Sequence, residues 1–376
     1  MRIITNVPDL SLSAGTERAQ LAVCRELAKR GHRIDLLFQR EGWLLEQWRE
    51  FASTALELTC RPASFIAAQR MSGFVRSSAE DVVVYIHHSG HWSNLGVAIV
   101  ASWWWRAPLV VHMHVPYGGH YSLPRIAVRM ASRSPAGMIF VSHALRQAWF
   151  SAGAQPPRDA VIANGIDVDY YSSCTETQRR AARGRLGIDE RNFVFLMLGR
   201  LVKEKGVHVL LAAWMQVLAR QRSKSPQLLC VGEVGDCAIA EAIKNAGATL
   251  LPWVRDVRDV YCASDVVVVP SVWNEPFPLT VLEALSGERP VIAADAGGIR
   301  EALGAWGSRH TWCVVPRGDA NALAQAMVLM LATDDSQRRR MGAEGREFVA
   351  TSRSLKASAD AVEEFLPMVI NSHRDG

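Results

Sequence analysis

Short apolar runs and longer amphipathic stretches alternate along almost the whole chain. RIIT at 2–5 is followed by TERAQLAVCRELAKR at 16–30, closed by Gly31, and then by HRIDLLF at 32–38, the pattern of a strand–helix–strand unit. After a less regular stretch the alternation resumes with DVVVYIH at 81–87, a helical face carrying Leu95, Ala98, Ile99, Ser102 and Trp103, and PLVVHMHV at 108–115. A basic helix at 123–133, GMIFVS at 137–142, a helix closed by Gly153 and AVIAN at 160–164 complete a first half. Its connections predict a parallel, Rossmann-like sheet.

Between 167 and 190 the apolar periodicity gives way to polar residues and to Arg179, Arg180, Arg183 and Arg185, which puts a domain boundary there. A second alternation follows, with strands expected at 192–198, 227–231, 248–251, 265–270, 290–295 and 311–315. Helices are expected at 206–221, 236–246, 278–287, 297–303 and 319–332, and 335–372 looks helical throughout. At 376 residues the chain exceeds what one hydrophobic core usually supports. The expected organisation is α/β: a first domain at 1–175, a second at 176–352, and a terminal helix at 353–376 crossing back to the first.

Apolar residues make up 49% and charged residues 21%, which excludes a disordered or low-complexity chain. Lys plus Arg number 42 against 37 Asp plus Glu, a net charge of +5. That is too sparse for a nucleic-acid coat, so no nucleic-acid partner is expected; an anionic small molecule or a membrane surface fits as well. The seven cysteines are odd in number, lack C-x-x-C spacing and mostly lie in apolar runs, so they read as reduced core residues of a cytosolic protein. Met1 to Thr5 runs directly into a strand pattern, so no signal peptide is expected, and the most apolar stretch, 95–105, is too short to span a bilayer.

The most informative stretch is VVVVPSVWNEPFPLTVLEALSG at 266–287. A buried strand should end at Pro270, with Glu275 in the loop and Pro278 as the first helical residue after Phe277 at the N-cap. Phe277 offers no side-chain acceptor, so the amides of Leu279 and Thr280 are left for a phosphate at the positive end of the helix. Glu283, further along that helix, has the reach for both hydroxyls of a ribose attached to such a phosphate, and Glu275 lies on the phosphate's other side. In FLMLGRLVKEKG at 195–206, Arg200 and Lys205 follow a strand and can neutralise a diphosphate. Taken singly, these are also ordinary residues of a crossover helix and a solvated loop.

Together these segments resemble glycosyltransferase family 4, retaining enzymes of GT-B fold with two facing Rossmann-like domains. The resemblance rests on the two glutamates seven residues apart, ALSGERPVIAADAGGIRE after them, GRLVKEKG, SAGTERAQLAVCRELAKRGH at 13–32, VSHALRQ at 141–147, VIANGIDVDYY at 161–171 and LPWVRDVRDVYCASDVVVVPS at 251–271. It implies that Glu275 contacts donor-sugar hydroxyls, Glu283 the ribose diol, and Arg200 and Lys205 the diphosphate. It also implies that Gly15 and Thr16 form a first-domain loop near phosphate and acceptor, joined on the acceptor side by Tyr117. His114 would lie near the reacting carbon, Phe277 on the donor, and Trp253 and Val254 by the base. Where many members have Gly this chain has Pro278, so one phosphate-binding amide is missing.

The implied reaction transfers a hexose-type sugar from a nucleotide-diphospho-sugar, UDP or GDP the expected carrier, to a carbohydrate or lipid-linked acceptor in cell-surface polysaccharide or glycolipid assembly. The leaving diphosphate would take the acceptor's proton, so positioning and charge stabilisation carry the catalysis. No cofactor and no metal are expected. His112 and His114 share a strand face, and His87, His88 and His91 form a second set, but neither brings a carboxylate or thiolate at ligand spacing. Asp167-Val168-Asp169 reads as turn and helix-start chemistry. Arg125, Arg129 and Arg133 recur every four residues, either toward anionic lipid at the inner face of the membrane or as a solvated face. Alternatives are a nucleotide-sugar epimerase of the same shape, a non-catalytic sugar-nucleotide binder and a nicotinamide oxidoreductase. The last is disfavoured by the single Gly in NVPDLSLSAGTE.

Overall fold

The computed structural model describes residues 1–11, 15–57, 81–90, 98, 102, 107–118, 124–220 and 225–374. The chain forms two compact units, Met1–Gly165 with Leu355–Gly376, and Ile166–Ser354. The division falls ten residues before the expected boundary at 175, because 166–175 and the helix after it pack into the second unit.

In the first unit, strands β1 (Arg2–Asp9), β2 (Arg33–Arg40), β3 (Thr54–Glu57), β4 (Val82–His88), β5 (Leu109–Met113), β6 (Gly137–Phe140) and β7 (Asp159–Val161) form one sheet in the order 3-2-1-4-5-6-7. Every pairing is parallel, and the inner strands are buried along nearly their full length, which is why they read as continuous apolar runs. Helices α1 (Gly15–Lys29), α2 (Leu44–Arg49), α3 (Arg125–Arg133) and α4 (His143–Ser151) connect them. β3 and α2 occupy the stretch left unassigned by periodicity; α2 is six residues long and is held by the fully buried Trp48. The helical face at 95–103 lies almost wholly outside the described residues, as do His91 and Leu123.

The second unit holds β8 (Phe193–Leu198), β9 (Pro226–Val231), β10 (Thr249–Leu251), β11 (Val266–Val269), β12 (Val291–Ala294) and β13 (Val314–Val315), parallel and ordered 10-9-8-11-12-13. Its helices are α5 (Glu176–Arg185), α6 (Val207–Arg220), α7 (Cys237–Asn245), α8 (Arg258–Ala263), α9 (Leu279–Ser286), α10 (Ile299–Arg309), α11 (Ala320–Ala332) and α12 (Asp335–Ser352). α5 lacks apolar periodicity because arginines anchor it. Arg179 and Arg183 bond the two oxygens of Asp265 at 2.6 and 2.9 Å, and Arg183 also donates to the carbonyls of Ala263, Glu190 and Asn192. A capping box between Thr175 and Gln178 starts it.

The expected continuous helix at 335–372 is two helices. The break at Arg353–Ser354 comes where Ile166 pairs with Ser354 and donates its amide to the Arg353 carbonyl at 3.1 Å. The last helix, α13 (Leu355–Arg374), belongs to the first unit, where Ala359, Val362, Phe365, Leu366, Val369 and Ile370 join the core of Ile3, Leu27 and Ile34. Arg30 pairs with Asp360 at 2.7 Å and Glu363 at 2.8 Å, and His32 meets Glu363 at 2.7 Å.

One cysteine expectation is corrected. Cys174, just before α5, and Cys262, in α8, form a disulfide with Cα atoms 5.9 Å apart. A separation of 88 residues gives no spacing signal; the pair forms because the segment before α5 folds back onto α8. Cys24, Cys230 and Cys313 are buried free thiols, as expected.

Candidate active site

In the second sheet the chain winds outward from β8 to β9 and β10, then restarts at β11 on β8's other side. The carboxyl ends of β8 and β11 are therefore the topological switch point, where open parallel sheets bind ligands. The loops leaving those two strands carry Arg200 and Lys205, and Glu275.

The two loops are locked together. Lys203–Lys205 forms a 3-10 turn, and the Glu204 carbonyl accepts the amides of Val272 and Trp273 at 3.0 and 3.3 Å. Gly206 follows at φ 77°, where a Cβ would stand 1.9 Å from the Pro270 carbonyl oxygen, so only glycine lets the loops approach this closely. Gly297 plays the same part opposite Glu275: its φ is 62°, and a Cβ would stand 2.4 Å from the Glu275 carbonyl oxygen. That carbonyl accepts the amide of Gly298 at 2.7 Å.

Glu275 is thus held by its backbone, and its carboxylate is 4% exposed. Oε1 accepts from Lys205 Nζ at 2.6 Å and from the Ser271 hydroxyl; among the described residues Oε2 has no hydrogen-bond partner. Lys205 also lies 5.4 Å from the centre of the Trp273 ring. Arg200 is exposed and forms no ion pair with the described residues. The expected helix start moves by one residue. Pro278 is the N-cap, with ψ 115°, and Leu279 is the first helical residue. Proline offers no side-chain acceptor either, so the amides of Leu279 and Thr280 still face outward from an uncapped helix end. Phe277 is buried, with the Arg353 guanidinium 6.0 Å from its ring centre.

Glu283 sits four residues beyond the first residue of α9, about 6 Å along the axis. It is 5% exposed, and each oxygen already accepts a tyrosine hydroxyl, Tyr171 at 2.9 Å and Tyr261 at 2.7 Å. One further lone pair per oxygen is left for a diol. Sequence reasoning missed these two tyrosines, although both lie within the resembling segments VIANGIDVDYY and LPWVRDVRDVYCASD. Trp253 is exposed and Val254 half-buried in the loop after β10, the sheet's edge strand, two strand spacings or roughly 10 Å from β8. Asp167 Oδ1 accepts the amides of Asp169 and Tyr170 at 3.1 and 3.0 Å, the turn chemistry expected of that segment.

The remaining candidates lie in the first unit. Gly15 and Thr16 are the first two residues of α1 rather than a loop, and residues 12–14 before them lie outside the described residues. Tyr117 packs edge-on against Trp149 at 5.4 Å. His114 follows β5 and is buried together with His87 and His112, all three ring centres being 4.6–4.8 Å apart. Sequence reading separated these histidines into two sets; the parallel register pairs His87 directly with His112 and makes them one cluster. Burial, reinforced by the neighbouring imidazoles, holds His87 and His114 well below the ordinary histidine value, and burial brings His112 down to about 3. All three rings are therefore neutral near pH 7.

Residues 13–170 match Glycosyltransferase Family 4, and residues 192–333 match Glycosyl transferases group 1. The D-inositol 3-phosphate glycosyltransferase of Corynebacterium glutamicum (strain R) is 26% identical over 343 residues, 85% of this chain and 80% of that protein. The alpha-maltose-1-phosphate synthase of Mycolicibacterium smegmatis is 30% identical over 284 residues, covering 70% of this chain and 71% of that one. Among solved structures, Anabaena Alr3699/HepE in complex with UDP and glucose superposes with a TM-score of 0.81 at 21% identity, over 98% of this chain and all of that one. WaaG, a glycosyltransferase involved in lipopolysaccharide biosynthesis, does so with a TM-score of 0.69 at 15% identity, over 97% and 99%. With both halves matched in order and most of a named synthase aligned at 30% identity, the chain belongs to glycosyltransferase family 4, and it is a glycosyltransferase of GT-B fold.

Proposed function

We propose that the protein is a retaining hexosyltransferase that uses a nucleotide-diphospho-sugar, with UDP favoured over GDP, and needs neither a metal nor a cofactor for transfer. The observation that carries this reading is the Lys205–Glu275 pair at the switch point, joined through the same loop to an uncapped helix end at Leu279 and Thr280. The amides, Lys205 and Arg200 suit a diphosphate, and Glu275 Oε2 suits a sugar hydroxyl. In the step itself the bond from the anomeric carbon to the diphosphate breaks, and the acceptor oxygen bonds to the same face. The acceptor's proton passes to the leaving phosphate oxygen. Lys205 and Arg200 stabilise the charge that builds there, and no protein nucleophile is needed. UDP is favoured because HepE is seen with UDP-glucose.

The proposed setting is the cytoplasmic face of a membrane, with a carbohydrate or lipid-linked acceptor of a surface glycan. Among the described residues no helix is long and apolar enough to cross a membrane. Contact would instead run through α3, where Arg125, Arg129 and Arg133 are exposed beside Ile126 and Met130, 69% and 68% exposed.

The first test is a thermal-shift panel of UDP-, GDP- and ADP-sugars against NAD and NADP, since ligands that bind the folded state raise its melting temperature. One sugar nucleotide should shift it, and the anomeric configuration of the product should match that of the donor. A shift from NAD alone, or an inverted product, overturns the reading.

A further inference from the structure

β4 and β5 converge three imidazoles on one buried point. Tyr85 and His87 share one face of β4 by the two-residue period of a strand, and His112 and His114 share a face of β5. The parallel register sets His87 beside His112. Each histidine brings a ring nitrogen to within 4.8 Å of the other two. Among the described residues His87 Nδ1, His112 Nε2 and His114 Nε2 are buried and form no hydrogen bond of normal geometry, with the Ile162 carbonyl lying near the His112 ring. Buried polar atoms are nearly always satisfied, so three open ring nitrogens in one cluster call for a ligand.

We propose that His87 Nδ1, His112 Nε2 and His114 Nε2 form a binding site for one divalent transition-metal ion of the zinc class, with the fourth position open beside His114. Neutral imidazole is the ligating form. Metal–nitrogen bonds of about 2.0–2.1 Å place tetrahedral ligand atoms roughly 3.3 Å apart, so nitrogens up to 4.8 Å apart need to close by up to about 1.5 Å. Metal-bound histidines donate their other ring N–H to an acceptor, and such an acceptor is in place. Tyr85 Oη stands 2.9 Å from His87 Nε2 and 2.8 Å from His112 Nδ1, and its two lone pairs suffice for both donors. An all-nitrogen set with no carboxylate selects zinc, cobalt, nickel or copper over magnesium, calcium or manganese. His114, the least buried of the three and one residue beyond the strand end, provides the access route. His114 is shared with the donor-binding reading, but metal binding is read without nucleotide or transfer, so the two readings fail separately.

The full chain, stripped with chelator and dialysed, is titrated with cobalt(II) and followed by visible absorption. The expected result is the intense spectrum of a low-coordinate nitrogen site, saturating at one equivalent, displaced by zinc and unaffected by magnesium. Tyr85→Phe should weaken cobalt affinity about 10–100-fold, and His112→Gln should abolish the bands. His208→Gln, at an exposed histidine of α6, should change neither. A wild-type spectrum that stays that of the aqueous ion overturns the site without reliance on any variant. Bands retained at full affinity in both His87→Gln and His112→Gln overturn it as well.

Discussion

Lys205 Nζ stands 2.6 Å from Glu275 Oε1, so the cation proposed for the leaving diphosphate and the carboxylate proposed for the sugar hold each other. The pair explains how a carboxylate only 4% exposed is tolerated in the loop after an apolar strand. It also fixes the direction in which each side chain points, which is what positioning catalysis requires.

Removing either partner should therefore stop transfer without dissolving the fold. Glu275→Ala and Lys205→Ala are each expected to lower turnover at least about 100-fold while circular dichroism stays native. Near-wild-type activity in both variants would remove the assignment. Because Lys205→Ala leaves Glu275 unpaired, it should also be the less stable of the two in denaturant.

Tyr171 and Tyr261 supply the hydroxyls that hold Glu283. Changing either to phenylalanine deprives a buried carboxylate of a donor, a loss of about 1–3 kcal/mol in unfolding free energy. The same variants should raise KM for the donor more than they change kcat. Unaltered stability and KM in both would mean that the tyrosines neither hold nor orient Glu283.

Transfer should persist in the presence of a chelator, since the proposed chemistry uses only cations of the chain. Complete loss of activity that manganese restores would overturn this.

The exposed arginines of α3 give a membrane test. Among the described residues Arg129 Nε and an Arg133 terminal nitrogen meet the neutral Gln155 side-chain oxygen, at 2.9 and 2.8 Å, and that contact does not neutralise their charge. At about 1 kcal/mol per basic residue near an anionic surface, the triple change to serine should weaken sedimentation with phosphatidylserine vesicles roughly 100-fold. Unchanged binding would leave α3 a solvated face.

The C-terminal helix α13 carries a pH dependence. The Arg30 guanidinium, then His32, lower the Glu363 carboxyl, while Lys356, and to a lesser degree Arg30, lower Asp360; Glu26 is the other carboxylate near Arg30. Their folded values lie below their unfolded ones, so between the two the unfolded chain binds more protons and stability rises with pH. The contribution is complete above the ordinary carboxyl range, near pH 4.5, and is lost as pH falls through the folded values. Wild type and Glu363→Gln should therefore differ in melting temperature at pH 7 and converge as the pH falls below the ordinary carboxyl range. Equal melting temperatures at pH 7 would show that the link adds nothing.

Strand runs such as 193–198 and 266–269, and helices such as 207–220, were legible because burial on both sides of a parallel sheet writes itself as unbroken apolar residues. α5 was not, because arginines bonding carbonyls stand where an apolar stripe would be expected. Segment order and the glutamate spacing sufficed to indicate the family, since loop residues after strands of this topology face the ligand wherever the details differ.

Chain order alone determined the two-sheet α/β class and placed Arg200, Lys205, Glu275 and Glu283 on loops and a helix start of one sheet, because those features depend on neighbours a few residues apart. Only the tertiary structure decided that Lys205 closes on Glu275, that Tyr171 and Tyr261 fill Glu283, that Cys174 reaches Cys262, and that His87 joins His112 and His114. Each of these pairings joins residues separated by 22 to 112 positions. Strand register and loop packing set them, and neither leaves a period in the sequence.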